Sequence, residues 1–174
     1  MKTRTVTSVG EVDYLVQAVT ASATKALAQI SQLGSDGLRA LWSMKFKPVG
    51  CDPLDSELPL NLIEQLNQSF TYIASAKATR LLLSRHPELA PFTLNLGTAA
   101  GSDIESKVGD GLAAEVFAAV NTSNNRKLAN DIVKVASTAA RFKYVFFMCP
   151  GYEEGHQPKL SQSGVEVWSV GSEL

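Results

Sequence analysis

The stretch Gly109-Asp-Gly-Leu-Ala-Ala-Glu-Val-Phe-Ala-Ala-Val120 decides how this chain is read. Gly109-Asp110-Gly111 is a hairpin-turn signal, because glycine enters the positive-φ conformations that tight turns need. From Leu112 to Val120 every residue is apolar except Glu115. A short apolar run bounded by a turn predicts a buried strand. An unpaired carboxylate costs several kcal/mol to bury, so Glu115 must be paired, protonated, hydrated in a cleft or bound to a cation.

The residues before the turn, Ser102 to Val108, form a second extended candidate. Asp103 and Glu105 lie two apart and so share one face of that strand. With the turn centred on Asp110, Glu105 is expected opposite Glu115, and Asp103 one alternate position further along. Carboxylates converging on one face repel each other, which stability alone does not explain. A divalent cation does explain it. Mg²⁺ (or Mn²⁺) takes one or two carboxylates together with waters and phosphate oxygens, and lowers the pKa of a bound water. The matching chemistry is phosphodiester hydrolysis. The competing reading makes Asp103 and Glu105 solvent-facing edge residues and pairs Glu115 with Lys143 or Lys107.

Further out, Val12, Leu15, Val19, Ala26, Leu27 and Ile30 recur at helical spacing and predict an amphipathic helix over about 11–33. Residues 38–60, with Trp42, Phe46 and three prolines, read as a packed but irregular connector. A second helix is expected from about 60 to 85, with Leu62, Ile63, Leu66, Phe70, Ile73 and Leu81 on its apolar stripe. His86-Pro87 ends it, since the residue before proline resists the helical region. Phe92, Leu94 and Leu96 alternate as in a half-buried strand. Residues 125–140 return to helical spacing, with Leu128, Ile132, Val135 and Ala139 on one face and Lys127, Asp131 and Lys134 on the other. Tyr144 to Cys149 predicts a fully buried strand, and Val165 to Trp168 a last short one. The order is that of a mixed α/β domain with one layered sheet.

Bulk properties agree. A length of 174 residues suits a single domain over 1–174, in which 1–59 is an N-terminal helix with its connector and 60–174 the core. Hydrophobic residues make up 45% and charged residues 19%, the balance of a soluble globular protein. A net charge of −1 gives no global attraction to nucleic acid or membrane, so any such contact must be local. Two cysteines without a CxxC or Cys/His partner point to a reducing compartment and away from structural zinc. No run of 18 apolar residues and no signal-peptide core appear, so cytoplasmic residence without a membrane is expected. His86 and His156 have no nucleophile or metal partner at a recognisable spacing.

Asp103, the hairpin turn, Glu115 within an apolar strand, then a helix and a buried strand together resemble the PD-(D/E)XK nuclease-like superfamily, the fold of many restriction and repair endonucleases. The resemblance covers roughly residues 60–170. It implies a restriction endonuclease-like three-layer core, a mixed sheet flanked by helices, here with an additional N-terminal helix. It implies an Mg²⁺-dependent endodeoxyribonuclease in which Asp103 and Glu115 hold the ion and Glu105 is an accessory ligand. Two positions depart from the family pattern. Ser102 replaces a proline, and Phe117 stands where the family's lysine helps orient the attacking water. A lysine from the following helix can substitute: Lys127 first, Lys134 second. Glu64, on the helix before the first strand, is a weaker accessory candidate and otherwise a surface residue. Cutting both strands of DNA calls for two active sites, hence a homodimer built on the first helix and the 38–60 connector. Loss of the lysine leaves the alternative of an inactive nuclease-like fold serving as a protein- or nucleic-acid-interaction module.

Overall fold

A computed structural model of the chain describes residues 2–97 and 99–174; Met1 and Thr98 lie outside the described residues. The chain divides into two compact units, Met1–Val12 with Ala74–Leu174, and Asp13–Ile73. No helix among the described residues is long and apolar enough to cross a membrane.

The larger unit is built on a seven-stranded sheet. Its strands are β1 (Thr3–Val6), β4 (Phe92–Asn95), β5 (Ile104–Ser106), β6 (Leu112–Ala118), β7 (Phe142–Met148), β8 (Gly155–His156) and β9 (Glu166–Ser169). Their spatial order is β1-β4-β5-β6-β7-β9-β8. β7 runs parallel to both β6 and β9, and every other neighbouring pair is antiparallel. The fold is therefore mixed α/β with a mixed sheet. β6 and β7 need a crossover to run parallel, and α4 (Lys127–Ala136) supplies it.

Alternation along β6 and β7 sorts the side chains to two faces. Phe117, Val145 and Phe147 pack with Ile132 and Val135 of α4. On the opposite face, His86 closes the end of α3 (Leu62–Arg85) against β7. Its ring lies 4.5 Å from that of Phe142, and its Nε2 sits 2.7 Å from the Tyr144 hydroxyl.

The helix α1 (Val9–Ile30) starts in this unit on a device the charge pattern hides. The amides of Thr7 and Ser8 donate to Glu11 Oε2 at 2.6 and 3.2 Å, satisfying donors that a helix start leaves open. The Thr7 amide, then its hydroxyl, hold the Glu11 carboxyl below the ordinary glutamate range. A depressed folded-state pKa adds stability that is complete above the unfolded-state value and is lost as pH falls through the folded one. Glu11→Gln is therefore expected to lower the melting temperature at neutral pH, with the gap to wild type closing in acid. Melting curves from pH 7 down to pH 3 check this.

The smaller unit departs most from the sequence reading. The expected irregular connector contains α2 (Gly37–Phe46) and an antiparallel hairpin of β2 (Gly50–Asp52) and β3 (Asp55–Leu60). Asp36 caps α2 by accepting from the Arg39 amide at 3.0 Å. The early apolar stripe of α3 is also corrected. Ile63, Leu66 and Phe70 are exposed, whereas Gln65 and Ser69 are buried. A hydrogen-bond network decides the orientation: Gln65 Nε2 donates to Ser22 Oγ and Ser69 Oγ, and Ser22 donates to the Cys51 carbonyl. Leu27 of α1 faces solvent, while Val12, Leu15, Val19, Ser22 and Ala26 form the buried row.

Candidate functional site

β6 is longer than β5, and the site sits where β5 leaves it. The β5 ladder continues as far as Asp103, whose carbonyl accepts from the Asn95 amide at 2.8 Å. Past that point β6 runs on beside β7 alone. The Val116 amide, left without a strand partner, donates instead to Asp103 Oδ2 at 2.8 Å. The first acid is thus fixed at a fork in the sheet by a backbone donor.

The hairpin register differs from the one expected. Ile104 pairs with Ala114 and Glu105 with Ala113, so continuation of the register places Asp103, not Glu105, opposite Glu115. The reason lies in the turn. The last pair is Ser106–Leu112, Gly109 and Gly111 take positive φ, and the loop centres on Gly109 rather than Asp110. Moving the centre by one residue moves the pairing by two. Glu105 folds back, its Oε1 accepting from the Ser102 amide at 2.7 Å. That approach needs Gly101, which combines a φ of +114° with a position where a Cβ would lie 2.8 Å from Glu105 Oε1.

Glu115 is 2% exposed and lies on the face covered by α4. Its partner is neither Lys143, which donates to the Ala136 carbonyl, nor Lys107, but Lys134. The Lys134 ammonium is 2.8 Å from both carboxylate oxygens, and only Oε2 receives a well-directed hydrogen bond. Lys127, one of the expected site residues, instead pairs with Asp131 at 2.7 Å. Phe117 is buried in the core with Ile132, Val135 and Phe147. A lysine there would have its ammonium among apolar side chains, so the basic group comes from α4.

Asp131 is expected from its spacing on the face of α4 opposite the apolar one, with Lys127 and Lys134. It is 3% exposed. Lys127, Asp131 and Lys134 stand at i, i+4 and i+7, one row along the helix. The row lies along the sheet-facing margin, so the acid between the lysines is covered while their side chains remain about half exposed, at 45% and 50%. The spacing was visible in the sequence; its burial follows from how α4 seats against β6 and β7.

Three carboxylates and two ammonium groups are therefore close enough for their charges to act on one another. Burial drives the Asp103, Glu115 and Asp131 carboxyls up. The Val116 amide and the two lysines oppose this at Asp103, and the Lys134 hydrogen bond opposes it at Glu115. At Asp131 the opposing groups are Lys127, through its hydrogen bond and charge, and then Lys134. Desolvation lowers the Lys134 pKa, but its bond to Glu115 and the surrounding acids reverse that and raise it.

As for cations, no group of three or more His, Cys, Asp or Glu side chains among the described residues is placed to hold one metal ion. Mg²⁺ does not require three, since it retains waters alongside one or two carboxylates. Asp103 and Glu115 supply hard oxygen donors of that kind, and the buried Asp131 Oδ2 has no hydrogen-bond partner. These are hard oxygen donors of the type such an ion takes, but Glu115 Oε1 and Asp131 Oδ2 are closed to solvent and the Lys134 ammonium stands against both Glu115 oxygens.

Glu64 belongs to the smaller unit, where it forms a capping box at the start of α3. Its Oε2 accepts from the Asn61 amide at 3.3 Å, and Asn61 Oδ1 accepts from the Glu64 amide at 3.0 Å. His156 is exposed and stacks on Trp168.

No protein-family model matches the chain, and no curated protein or solved structure matches it.

Proposed function

We propose that the chain is a restriction- or repair-type nuclease domain, a PD-(D/E)XK-like fold hydrolysing DNA phosphodiesters with Mg²⁺ or Mn²⁺. The observation that carries this reading is a buried Glu115 with the Lys134 ammonium 2.8 Å away, beside an Asp103 held by the amide of the next residue along the strand, Val116. The sequence of α3, three antiparallel strands, α4 and a strand parallel to the third supports it, being the element order the family uses.

In this mechanism Asp103 and Glu115 would hold the ion. A bound divalent cation supplies a water of lowered pKa and neutralises charge on the phosphate. Asp103 is oriented by the Val116 amide, which anchors its Oδ2. Lys134 takes the part of the absent motif lysine, offering positive charge beside the glutamate where phosphate charge accumulates. Lys127, the alternative basic group, is engaged by Asp131. Glu105, turned onto the Ser102 amide, supports the loop that carries Asp103.

DNA is the proposed substrate and a second copy of the chain the proposed partner, with action in the cytoplasm. Apolar exposure in the smaller unit supports self-association: α2 has no buried residue and presents Leu38, Leu41, Trp42 and Phe46 to solvent.

The test is nicking or linearisation of supercoiled plasmid by purified protein with Mg²⁺ or Mn²⁺, beside a chelator control and a direct Mn²⁺ titration. Cleavage that needs the ion supports the reading. Absence of both cleavage and Mn²⁺ binding would instead support the interaction-module alternative, which the Lys134–Glu115 pair favours because it already neutralises the buried acid.

A further inference from the structure

Residues 38, 41, 42, 45 and 46 stand at i, i+3, i+4, i+7 and i+8, the row that in a globular helix faces the core. In α2 that row is turned outward. Leu38, Leu41, Trp42 and Phe46 are 80%, 64%, 49% and 62% exposed, whereas Ala40, Ser43 and Met44 on the other side are half-buried. An exposed apolar patch of this kind marks a contact with another molecule. Its charge narrows the choice. Lys45 stands within the row, Arg39 beside it and Lys47 at its end, and no acid occurs between Gly37 and Lys47. The Lys45 and Lys47 ammonium groups lie 5.4 and 5.3 Å from the ring centroids of Phe46 and Trp42, so these cations rest on the apolar face itself. Laying α2 on the α2 of another copy would set like charges opposite one another, so the matching surface must be acidic.

The smaller unit carries such a surface. In β3 the residues 55–59 are all exposed, Asp55 and Glu57 share one face, and no basic residue occurs from Gly50 to Asn61. Among the described residues, none of these five charged side chains takes part in an ion pair. Three residues join α2 to β2, and the Val49 amide among them donates to the Leu60 carbonyl at 2.9 Å, so helix and hairpin are neighbours. A surface that carries both signs side by side is complementary to itself after a two-fold rotation. We propose that a second copy of this chain covers α2, laying Asp55 and Glu57 of its β3 against Arg39, Lys45 and Lys47, and that the contact is reciprocal. This rests on the self-association in the reading above and adds to it which surfaces meet.

The experiment is sedimentation equilibrium of the full chain at low and high salt, with melting curves for every variant. The variants are Lys45→Glu with Lys47→Glu, Asp55→Lys with Glu57→Lys, and all four substitutions together. Wild type is expected to dimerise more weakly at high salt. Each pair of reversals is expected to weaken the dimer by about tenfold or more, and the fourfold variant to recover wild-type affinity to within about threefold. All five charged positions are exposed, so the variants are expected to stay folded. A monomeric wild type would overturn the inference, as would a dimer that neither pair of reversals weakens or a fourfold variant that recovers nothing. Plasmid nicking needs one active site only. Ion-dependent nicking by a monomeric wild type would therefore sink this interface and leave the nuclease reading standing, while a dimer obeying the charge swap without cleavage would do the reverse.

Discussion

Glu115→Gln is expected to lower ion-dependent DNA cleavage by roughly 10²–10³-fold while leaving a folded protein. A metal-held charge contributes several kcal/mol of transition-state stabilisation, and about 1.4 kcal/mol corresponds to a tenfold change in rate. Asp103 keeps its anchor on the Val116 amide, so residual ion binding survives. Glutamine has nearly the shape of glutamate and removes a charge that is 2% exposed, so the fold gains from relief of desolvation what it loses in the Lys134 pair. Plasmid cleavage rates and melting temperatures, measured on the same preparations, separate loss of chemistry from loss of structure. Cleavage at the wild-type rate with the variant fully folded would remove Glu115 from the mechanism.

Phe117→Lys, which writes the family lysine back into the sequence, is expected to destabilise the protein by about 4 kcal/mol or more and to restore nothing. Truncating a buried phenylalanine costs about 3–5 kcal/mol, and an ammonium with no acceptor adds a desolvation penalty. The Phe117 ring lies 5.9 Å from that of Phe147, centroid to centroid, within the cluster that joins α4 to the sheet. The check is the urea unfolding midpoint together with the cleavage rate. A variant as stable as wild type and faster at cleavage would show that position 117 opens on the site rather than the core.

The central strands were the most legible part of the chain. An apolar run interrupted by one acid specified β6, and Tyr144 to Cys149 specified most of β7, because strands covered on both faces carry their signal in composition. The hairpin was legible but its register was not. Two glycines flank Asp110, and the choice of centre depends on loop hydrogen bonds, such as the Val108 amide donating to Ser106 Oγ at 3.2 Å. The buried face of α3 was misread for a related reason. Periodicity counts apolar residues, whereas Gln65 is turned inward by donating to Ser22, far away in sequence, and to Ser69 on its own helix. β2, β3 and α2 were hidden by prolines that the hairpin accommodates, Pro59 standing within β3 itself. At the site, Glu115 and Asp103 could be picked out from residue type and spacing. Which lysine reaches Glu115 could not, since Lys127 and Lys134 occupy one row of α4 and only its seating on the sheet separates them.

The division of charge between α4 and the sheet has a mechanical consequence. Both ammonium groups hang from a single ten-residue helix, whereas Asp103 and Glu115 belong to the sheet below it. The same helix contributes Ile132 and Val135 to the apolar cluster. Prising it away would at once strip the acids of their counter-charges and wet the greasy underside. Local fraying of this segment is therefore penalised twice, and the amides of α4 are expected to exchange with solvent only as the whole larger unit opens.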